Sequence, residues 1–216
     1  SIYKTAAVAI LVLISPSNAL GLAIALLYSF TSGRHSHAVF PLILSISLFF
    51  ASFNVTKTPE SDLFVYQLAS ERLSTLSFEN FLLLHGHEPG YYFINWLHVH
   101  QFGLSWDSWV FAFTVFIYAF WLTGLKSLAE FFNCNCVSKI SLLLWAAFLP
   151  VVFFQSAHLV RQYMAISIAM LGISVFLTTG RGWYLICVAP LFHVLTVVLL
   201  ILPIAVWMAR RSRRMA

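Results

Sequence analysis

The chain has 216 residues, of which 61% are hydrophobic and only 9% are charged, and its mean hydropathy is +0.89. Soluble domains carry about 25% charged residues, so this composition excludes an ordinary soluble enzyme or binding domain. A helix needs about 20 apolar residues to cross a bilayer, which leaves little chain for anything beside the spans. We therefore predict an all-α, polytopic transmembrane helical bundle that forms a single domain over residues 1–216.

Apolar runs of suitable length predict about five full spans. They cover residues 6–30, 39–55, 106–125, 140–157 and 162–178. We expect the first span to be kinked at Pro16. A secretory signal peptide is the alternative for this first run, because small residues follow Pro16, but apolar residues resume at Leu20 and favour a span.

The lysine and arginine residues predict the orientation, because short cytoplasmic loops carry the excess of positive charge. The basic tail at residues 210–216 indicates the cytoplasmic side, as do Arg34, Arg181 and the loop at residues 126–139. The stretch at residues 56–104 contains five of the seven acidic residues. We expect this stretch to form a loop on the outer face.

The last apolar segment, residues 183–209, connects two cytoplasmic sites in this orientation, so we expect a re-entrant hairpin. Pro190 and His193 mark its bend, because irregular backbone is tolerated at membrane depth only where protein or water surrounds it. A single crossing that places the tail outside is the alternative. Residues 88–104 are expected to form an interfacial helix along the outer surface, which suits their aromatic side chains.

Two ionisable residues lie in or beside long apolar runs, Arg161 and His193. A charge at membrane depth costs about 2.5–3.5 kcal/mol, so such residues usually belong to a polar site. The planar guanidinium of Arg161 can bind a diphosphate through two parallel hydrogen bonds. The alternatives are an interfacial arginine that reaches towards lipid headgroups, and a histidine that donates to a backbone carbonyl at the Pro190 bend.

Asp62 and Glu88 are the candidate carboxylates of the outer loop. Asp62 lies one helical turn before Tyr66, and Glu88 immediately precedes a proline that can open a helix. Either could serve as a general base or bind an acceptor sugar. Arg72 is a second candidate for contact with a diphosphate, and pairing with Glu71 or with solvent is the alternative.

We expect neither a metal nor another cofactor. His85 and His87 lie two residues apart beside Glu88, but no third ligand follows at the usual spacing. The three cysteines give no disulfide framework or metal knuckle. We expect no nucleic-acid partner.

Four short motifs occur in the order and spacing of EpsG-type proteins, which are relatives of the Wzy polymerases of bacterial surface polysaccharide. These motifs are Asp62-x-x-x-Tyr66, Glu88-Pro89 with Tyr91, Tyr92 and Asn95, Arg161-Gln162-Tyr163-Met164-Ala165, and Leu191-Phe192-His193. The resemblance covers roughly residues 50–205, and it rests on the four motifs together, since each motif is short.

The resemblance implies a multi-pass glycosyltransferase of the bacterial inner membrane that works at the periplasmic face. Such polymerases join oligosaccharide repeat units carried on undecaprenyl diphosphate, and the lipid diphosphate is the leaving group. Combined with the chemistry above, the candidate residues are Glu88, His193 and Asp62 as catalytic groups and Arg161, Arg72 and Gln162 as groups that bind the lipid diphosphate. The expected partners are the lipid-linked glycan, membrane lipids and other polysaccharide-assembly proteins.

Members of the family usually continue through further spans after the histidine motif, whereas this sequence ends at Ala216. Two alternatives therefore stay open. One is a truncated, non-catalytic membrane subunit or modulator of polysaccharide assembly. The other is a transporter of the same lipid-linked sugar, although the sequence lacks the paired halves that many transporters show.

Overall fold

The fold is that of a computed structural model, which describes residues 2–32, 36–57, 62–77, 79–80, 83, 88–149, 160–201, 203–205 and 208. Within these residues the chain is helical and contains no strand, as the all-α prediction requires. Three helices are long and apolar enough to cross a membrane, namely His37–Val55, Trp106–Phe131 and Val160–Thr179.

We number the α-helices in chain order. They are α1 (Ile2–Leu13), α2 (Asn18–Ser32), α3 (Phe40–Val55), α4 (Asp62–Leu73), α5 (Pro89–Leu97), α6 (Trp106–Phe131), α7 (Cys136–Phe148), α8 (Val160–Thr179) and α9 (Trp183–Val188). A 3₁₀ turn precedes α3 at Ser36–Val39, and a π turn follows α5 at His98–Phe102. Two 3₁₀ segments follow α9, at Ala189–Leu191 and Val194–Leu200.

The long helices coincide with three of the predicted spans, those at residues 39–55, 106–125 and 162–178. The predicted span at residues 140–157 corresponds to α7, and the structure describes it only as far as Leu149. A full crossing by α7 therefore stays a prediction.

The prediction of one N-terminal span kinked at Pro16 is wrong. Thr5 Oγ1 lies 2.8 Å from the hydroxyl of Tyr28, although these residues would be about 35 Å apart along one continuous helix. The helices α1 and α2 therefore form a hairpin, and Pro16 lies in its turn. The side chain of Ser17 accepts a hydrogen bond from the backbone of Leu20 and helps α2 to begin there.

Buried apolar side chains form two clusters, and α6 contributes to both. The α3 cluster joins α1, α2, α3 and α7 to the second half of α6, through residues such as Leu42, Ile46 and Tyr118. The α8 cluster joins α4, α5 and α8 to the first half of α6, through residues such as Tyr91 and Trp109. The candidate site lies in the α8 cluster.

Glycines set the spacing of the helices that support the site. A Cβ atom on Gly124 of α6 would lie 2.8 Å from Met170 Cγ, and one on Gly172 of α8 would lie 2.9 Å from the backbone nitrogen of Ile186. Small residues allow such close approach between helices in membranes. Close packing of α9 on α8 fixes the start of the segment that leads to His193.

The final apolar segment is interrupted where the sequence predicts a bend. The 3₁₀ turn Ala189–Leu191 ends there, and His193 has extended backbone angles, with φ −157° and ψ 119°. The return of the chain to the cytoplasmic side stays a prediction, because the basic tail at residues 210–216 lies outside the described residues.

The helix α5, which begins the predicted interfacial segment at residues 88–104, packs against the rest of the protein through one side. Tyr91 and Asn95, one turn apart on α5, are fully buried, and Gly90 contacts Leu191. His37 and Lys126 line one cavity of about 350 Å³, so the start of α3 and the last turns of α6 lie close together. The orientation of the chain and the position of residues 88–104 along the outer surface stay predictions.

Candidate functional site

Three ionisable side chains that are distant in the sequence meet in the α8 cluster. Arg161 Nη1 donates a hydrogen bond to Glu88 Oε2, and the two residues are 73 positions apart. Glu88 Oε1 lies 2.6 Å from His193 Nδ1, across 105 positions. A single carboxylate therefore bridges an arginine and a histidine.

Glu88 occupies the N-cap position of α5, but its side chain makes no capping hydrogen bond. A carboxylate at this position commonly accepts from the first backbone amides of its helix. Here the side chain is turned instead towards Arg161 and His193, and the residue is only 5% exposed. Because a buried charge is costly unless it is paired, these two partners are what allow a carboxylate at this place.

Tyrosines surround the guanidinium of Arg161. Its Nε donates to the hydroxyl of Tyr66 at 3.2 Å, and its Nη1 lies 3.5 Å from the hydroxyl of Tyr92. The Cζ atom of Arg161 is 5.1 Å from the ring centre of Tyr66 and 5.8 Å from that of Tyr91, within the range of cation–π attraction. Arg161 contacts Glu88 through one nitrogen, and the arginine side chain remains 30% exposed.

Tyr91 forms the apolar floor of this site. It is fully buried, and its ring meets those of Trp109 and Phe113 edge to face, at centroid distances of 6.0 and 5.9 Å. Burial raises the pKa of the Tyr91 hydroxyl well above its usual value, so this group stays neutral. The aromatic floor keeps water from one side of the ionic cluster.

The position of His193 depends on a close backbone contact. A Cβ atom on Gly90 would lie 2.9 Å from Leu191 Cβ and 3.0 Å from the Leu191 carbonyl oxygen. Only glycine allows α5 to approach the 3₁₀ turn so closely. This contact, two residues after Glu88 and two before His193, brings the carboxylate and the imidazole within hydrogen-bonding distance.

Comparison with known proteins identifies the family. A family model described as the EpsG family matches residues 37–215, which contain every residue of this site. The chain belongs to the EpsG family. No curated protein and no solved structure matches the chain.

Membership of the EpsG family makes the chain a membrane protein of polysaccharide biosynthesis. The resemblance inferred from four short motifs is thus confirmed, and the long apolar helices agree with a membrane location. All four motifs fall within the matched region of the chain.

The structure brings together three of the six residues that the sequence singles out in this EpsG-family chain. Of the others, Asp62 begins α4, and its side chain lies outside the described residues. Arg72 lies in the exposed last turn of α4 and makes no ion pair with any described residue. Gln162 is half-buried beside Arg161, and the structure shows no hydrogen bond from it to Glu88 or His193.

His85 and His87, considered as metal ligands, also lie outside the described residues.

Sequence reasoning missed the tyrosines as site residues of this EpsG-family protein. Tyr66 and Tyr92 both present hydroxyls to Arg161. Each occurs in a motif together with a predicted carboxylate, four residues after Asp62 and four after Glu88. That shared helical spacing was the signal that could have identified them.

Proposed function

We propose that the chain is a glycosyltransferase that joins undecaprenyl-diphosphate-linked oligosaccharide repeat units at the periplasmic face of the bacterial inner membrane. The observation that carries the proposal is the meeting of Glu88, Arg161 and His193 in a tyrosine-lined site of a membrane protein of polysaccharide biosynthesis. Such a site contains a cation, a potential base and a carboxylate that connects them.

Arg161 is the group proposed to stabilise the leaving diphosphate. Its side chain is partly exposed, and Glu88 engages it through Nη1 alone. Arginine has five N–H donors, so the guanidinium retains hydrogen atoms for phosphate oxygens while Glu88 and Tyr66 hold it in place. Charge-assisted hydrogen bonds of this kind are about twice as strong as neutral ones.

His193 is the group proposed to accept the proton of the acceptor hydroxyl. Glu88 lies at Nδ1, which leaves Nε2 for the substrate, and a carboxylate at one ring nitrogen orients the imidazole and faces the positive charge that develops during proton transfer. Both oxygens of Glu88 are engaged and the residue is buried. Glu88 therefore serves the reaction by positioning His193 and Arg161.

In the proposed reaction, an oxygen of the acceptor sugar bonds to the anomeric carbon of the donor. The bond from that carbon to the diphosphate oxygen breaks, and undecaprenyl diphosphate leaves with the electron pair beside Arg161. The proton of the acceptor hydroxyl passes to Nε2 of His193, and it is released to solvent before the next cycle. Positioned proton transfer of this kind contributes about 10²–10⁴ in rate.

The proposed location rests on membership of the EpsG family together with the distribution of apolar and basic residues. We propose a multi-pass protein of the inner membrane with the ionic cluster near the outer surface, and with membrane lipids and other polysaccharide-assembly proteins as partners. The exposed apolar side chains of the helices, including Phe53, Phe116 and Trp145, support contact with lipid.

A non-catalytic membrane subunit is the second candidate, and one observation favours it. Both oxygens of Glu88 already have protein partners, so the buried carboxylate is paired without a bound substrate. Buried ion pairs of this kind can have a purely structural role.

The deciding experiment replaces the chain in its host by the variants Arg161→Lys and His193→Gln. Lysine keeps the charge but loses the planar fork, and glutamine keeps hydrogen bonding but cannot take the proton. We expect long polysaccharide ladders to be replaced by single repeat units while the membranes contain normal amounts of the variants. Arg181→Lys, at an exposed turn after α8, is the matched control and should give full ladders. Full ladders from both site variants would instead support the non-catalytic subunit.

A further inference from the structure

A second polar feature lies beside the ionic cluster. It is an open cavity of about 470 Å³ between α4 and the π turn that follows α5. Its polar lining consists of Gln67, Ser70, Glu71, Ser74 and His98, with Trp106 of α6 at one side. None of these residues takes part in the proposed chemistry.

His98 is the most deeply buried polar residue of the cavity lining. The residue is only 4% exposed, and its Nδ1 has no hydrogen-bond partner among the residues that the structure describes. Leaving a buried polar atom unpaired costs about 1–3 kcal/mol. The His98 residue also lines the cavity, so a molecule bound there lies next to this imidazole.

The protonation of His98 restricts the kind of ligand. Burial lowers the pKa of the imidazole below its ordinary value, which favours the neutral ring at pH 7. A neutral imidazole has one nitrogen that donates and one that accepts. Hydroxyl groups both donate and accept, so they match such a ring better than a purely accepting anion does.

The other lining groups also favour a neutral ligand that can both donate and accept hydrogen bonds. Gln67 and Ser70 can donate and accept, while the Glu71 carboxylate accepts and repels anions. The described residues of the lining include neither lysine nor arginine, so they do not resemble a phosphate site. Trp106 adds an aromatic surface, and a polar site with one aromatic side suits a neutral molecule rich in hydroxyls.

The same two helices, α4 and α5, contribute residues to the ionic cluster and lead to the cavity. On α4, Tyr66 contacts Arg161 while the next residue, Gln67, lines the cavity. Glu88 opens α5 and His98 follows its end, so about 15 Å of helix rise separates them. A single reacting sugar does not extend over this distance, but a short oligosaccharide does.

We propose that this cavity is a carbohydrate subsite, which binds neutral sugar residues of the glycan at a distance from the bond that is formed or broken. The ligand class follows from the cavity, whereas its place in a reaction rests on the proposed function. The subsite therefore acts on glycan affinity and on polymer length, and it leaves the chemical step to the ionic cluster.

The test measures binding of free, lipid-free oligosaccharide to the purified chain by saturation-transfer NMR and calorimetry. One probe is a single repeat unit, and the other is a fragment of two units. We expect Glu71→Ala and His98→Phe to weaken oligosaccharide binding at least tenfold without changing the binding of undecaprenyl diphosphate. Glu79→Ala removes a similar exposed charge outside the cavity lining and should bind as the unchanged chain does.

The thermal stability of His98→Phe separates a ligand-binding role from a structural one. Phenylalanine removes a buried unpaired nitrogen, so we expect the melting temperature to stay level or to rise while sugar binding is lost. A preference for the two-unit fragment would assign the subsite to the growing chain, and equal binding of both probes would assign it to the incoming unit.

Unchanged oligosaccharide binding by both folded variants, or no binding by the unchanged chain, would overturn the subsite. That failure differs from failure of the proposed function. The proposed function fails if Arg161→Lys and His193→Gln give full polymer ladders, whatever the cavity binds.

Discussion

The α3 cluster and the α8 cluster are both buried, but among the described residues only the α8 cluster contains ion pairs between distant parts of the chain. In the α3 cluster, Ser47 donates to the carbonyl of Ile43 and Ser52 donates to that of Leu48, each within its own helical turn. In the α8 cluster, polar groups such as Glu88 find partners in distant parts of the chain. A hydroxyl bonded to its own helix needs no tertiary fold, whereas an ion pair between remote segments exists only when the fold is complete.

Their aromatic side chains differ in the same way. Phe50 and Tyr118 of the α3 cluster stack at 4.7 Å with their planes 8° apart, and they fill space between α3 and α6. Tyr66 and Tyr92 beside the α8 cluster instead present hydroxyls and rings to Arg161. Tyrosine therefore has two roles in one molecule, and its polar contacts distinguish the site from the scaffold.

The largest expected effect is that of Glu88→Gln. The change keeps the size of the side chain but leaves Arg161 without its counter-charge and removes the group that orients His193. Breaking a fully buried pair costs about 3–5 kcal/mol, and the loss should be smaller here because Arg161 is 30% exposed. We expect polymer ladders to disappear and the melting temperature of the purified protein to fall. Ser47→Ala in the α3 cluster should change neither measurement appreciably.

The double variant Glu88→Gln with Arg161→Gln distinguishes stability from activity. Removing both charges avoids an unpaired buried ion, so the double variant should be more stable than Glu88→Gln alone. Polymer synthesis should stay absent, because the proposed diphosphate contact is lost. A loss of stability in the double variant equal to the sum of the losses in Glu88→Gln and Arg161→Gln would show that the two side chains are not energetically coupled.

Much of the α8 cluster could be predicted from the sequence, for a physical reason. Arg161 and His193 stand out because apolar surroundings make ionisable residues costly, and Glu88 stands out beside the proline that begins α5. Their mutual contacts could not be predicted, since these depend on how α5, α8 and the 3₁₀ turn pack. Arg72 was a candidate for the same diphosphate contact although it lies in a polar stretch, and the structure leaves it exposed at the end of α4.

The hairpin of α1 and α2 could not be predicted from hydropathy alone. Residues 6–30 form one apolar run, and an apolar run of this length fits a span interrupted by a kink as well as two short helices. The contact between Thr5 and Tyr28 decides in favour of two helices. Both residues are polar groups in an apolar segment, but nothing in their spacing identifies them as a pair.

The second prediction concerns the backbone contact that brings the site together. Gly90→Ala places a methyl group 3.0 Å or less from Leu191 backbone and side-chain atoms, so α5 and the 3₁₀ turn must move apart. Overpacking of this kind costs about 1–3 kcal/mol, and we expect shortened or missing ladders. Gly21→Ala, in the hairpin, meets its nearest atom at 3.4 Å and should leave both ladders and melting temperature close to those of the unchanged chain.

The outcome that contradicts this second prediction is equal behaviour of the two glycine variants. If Gly90→Ala supported full ladders, the distance between Glu88 and His193 would not limit activity. The 2.6 Å contact between the two side chains would then be a feature of the scaffold.

The third prediction ranks the two tyrosine hydroxyls at Arg161. Tyr66→Phe removes a hydrogen bond of 3.2 Å, and Tyr92→Phe removes a longer contact of 3.5 Å. A hydrogen bond to a charged group contributes about 1.5–3 kcal/mol, and a long one contributes less. Because both variants keep their rings near the guanidinium, we expect partial loss of polymer, larger for Tyr66→Phe. Quantified ladders compare the two, and a larger loss for Tyr92→Phe would reverse the ranking.

The smallest effect is expected for Arg72→Lys, and it tests whether position in the fold matters more than residue type. Arg72 and Arg161 were both candidates for binding the lipid diphosphate, but Arg72 is exposed and unpaired among the described residues, whereas Arg161 is held by Glu88 and Tyr66. An exposed arginine on a helix end keeps its solvation after conversion to lysine, so stability and ladders should be unchanged. The same conversion at Arg161 removes a positioned planar fork and should abolish long chains. If Arg72→Lys shortened the ladders as much as Arg161→Lys, diphosphate binding would extend along α4. It would then not depend on a guanidinium that Glu88 and Tyr66 hold in place.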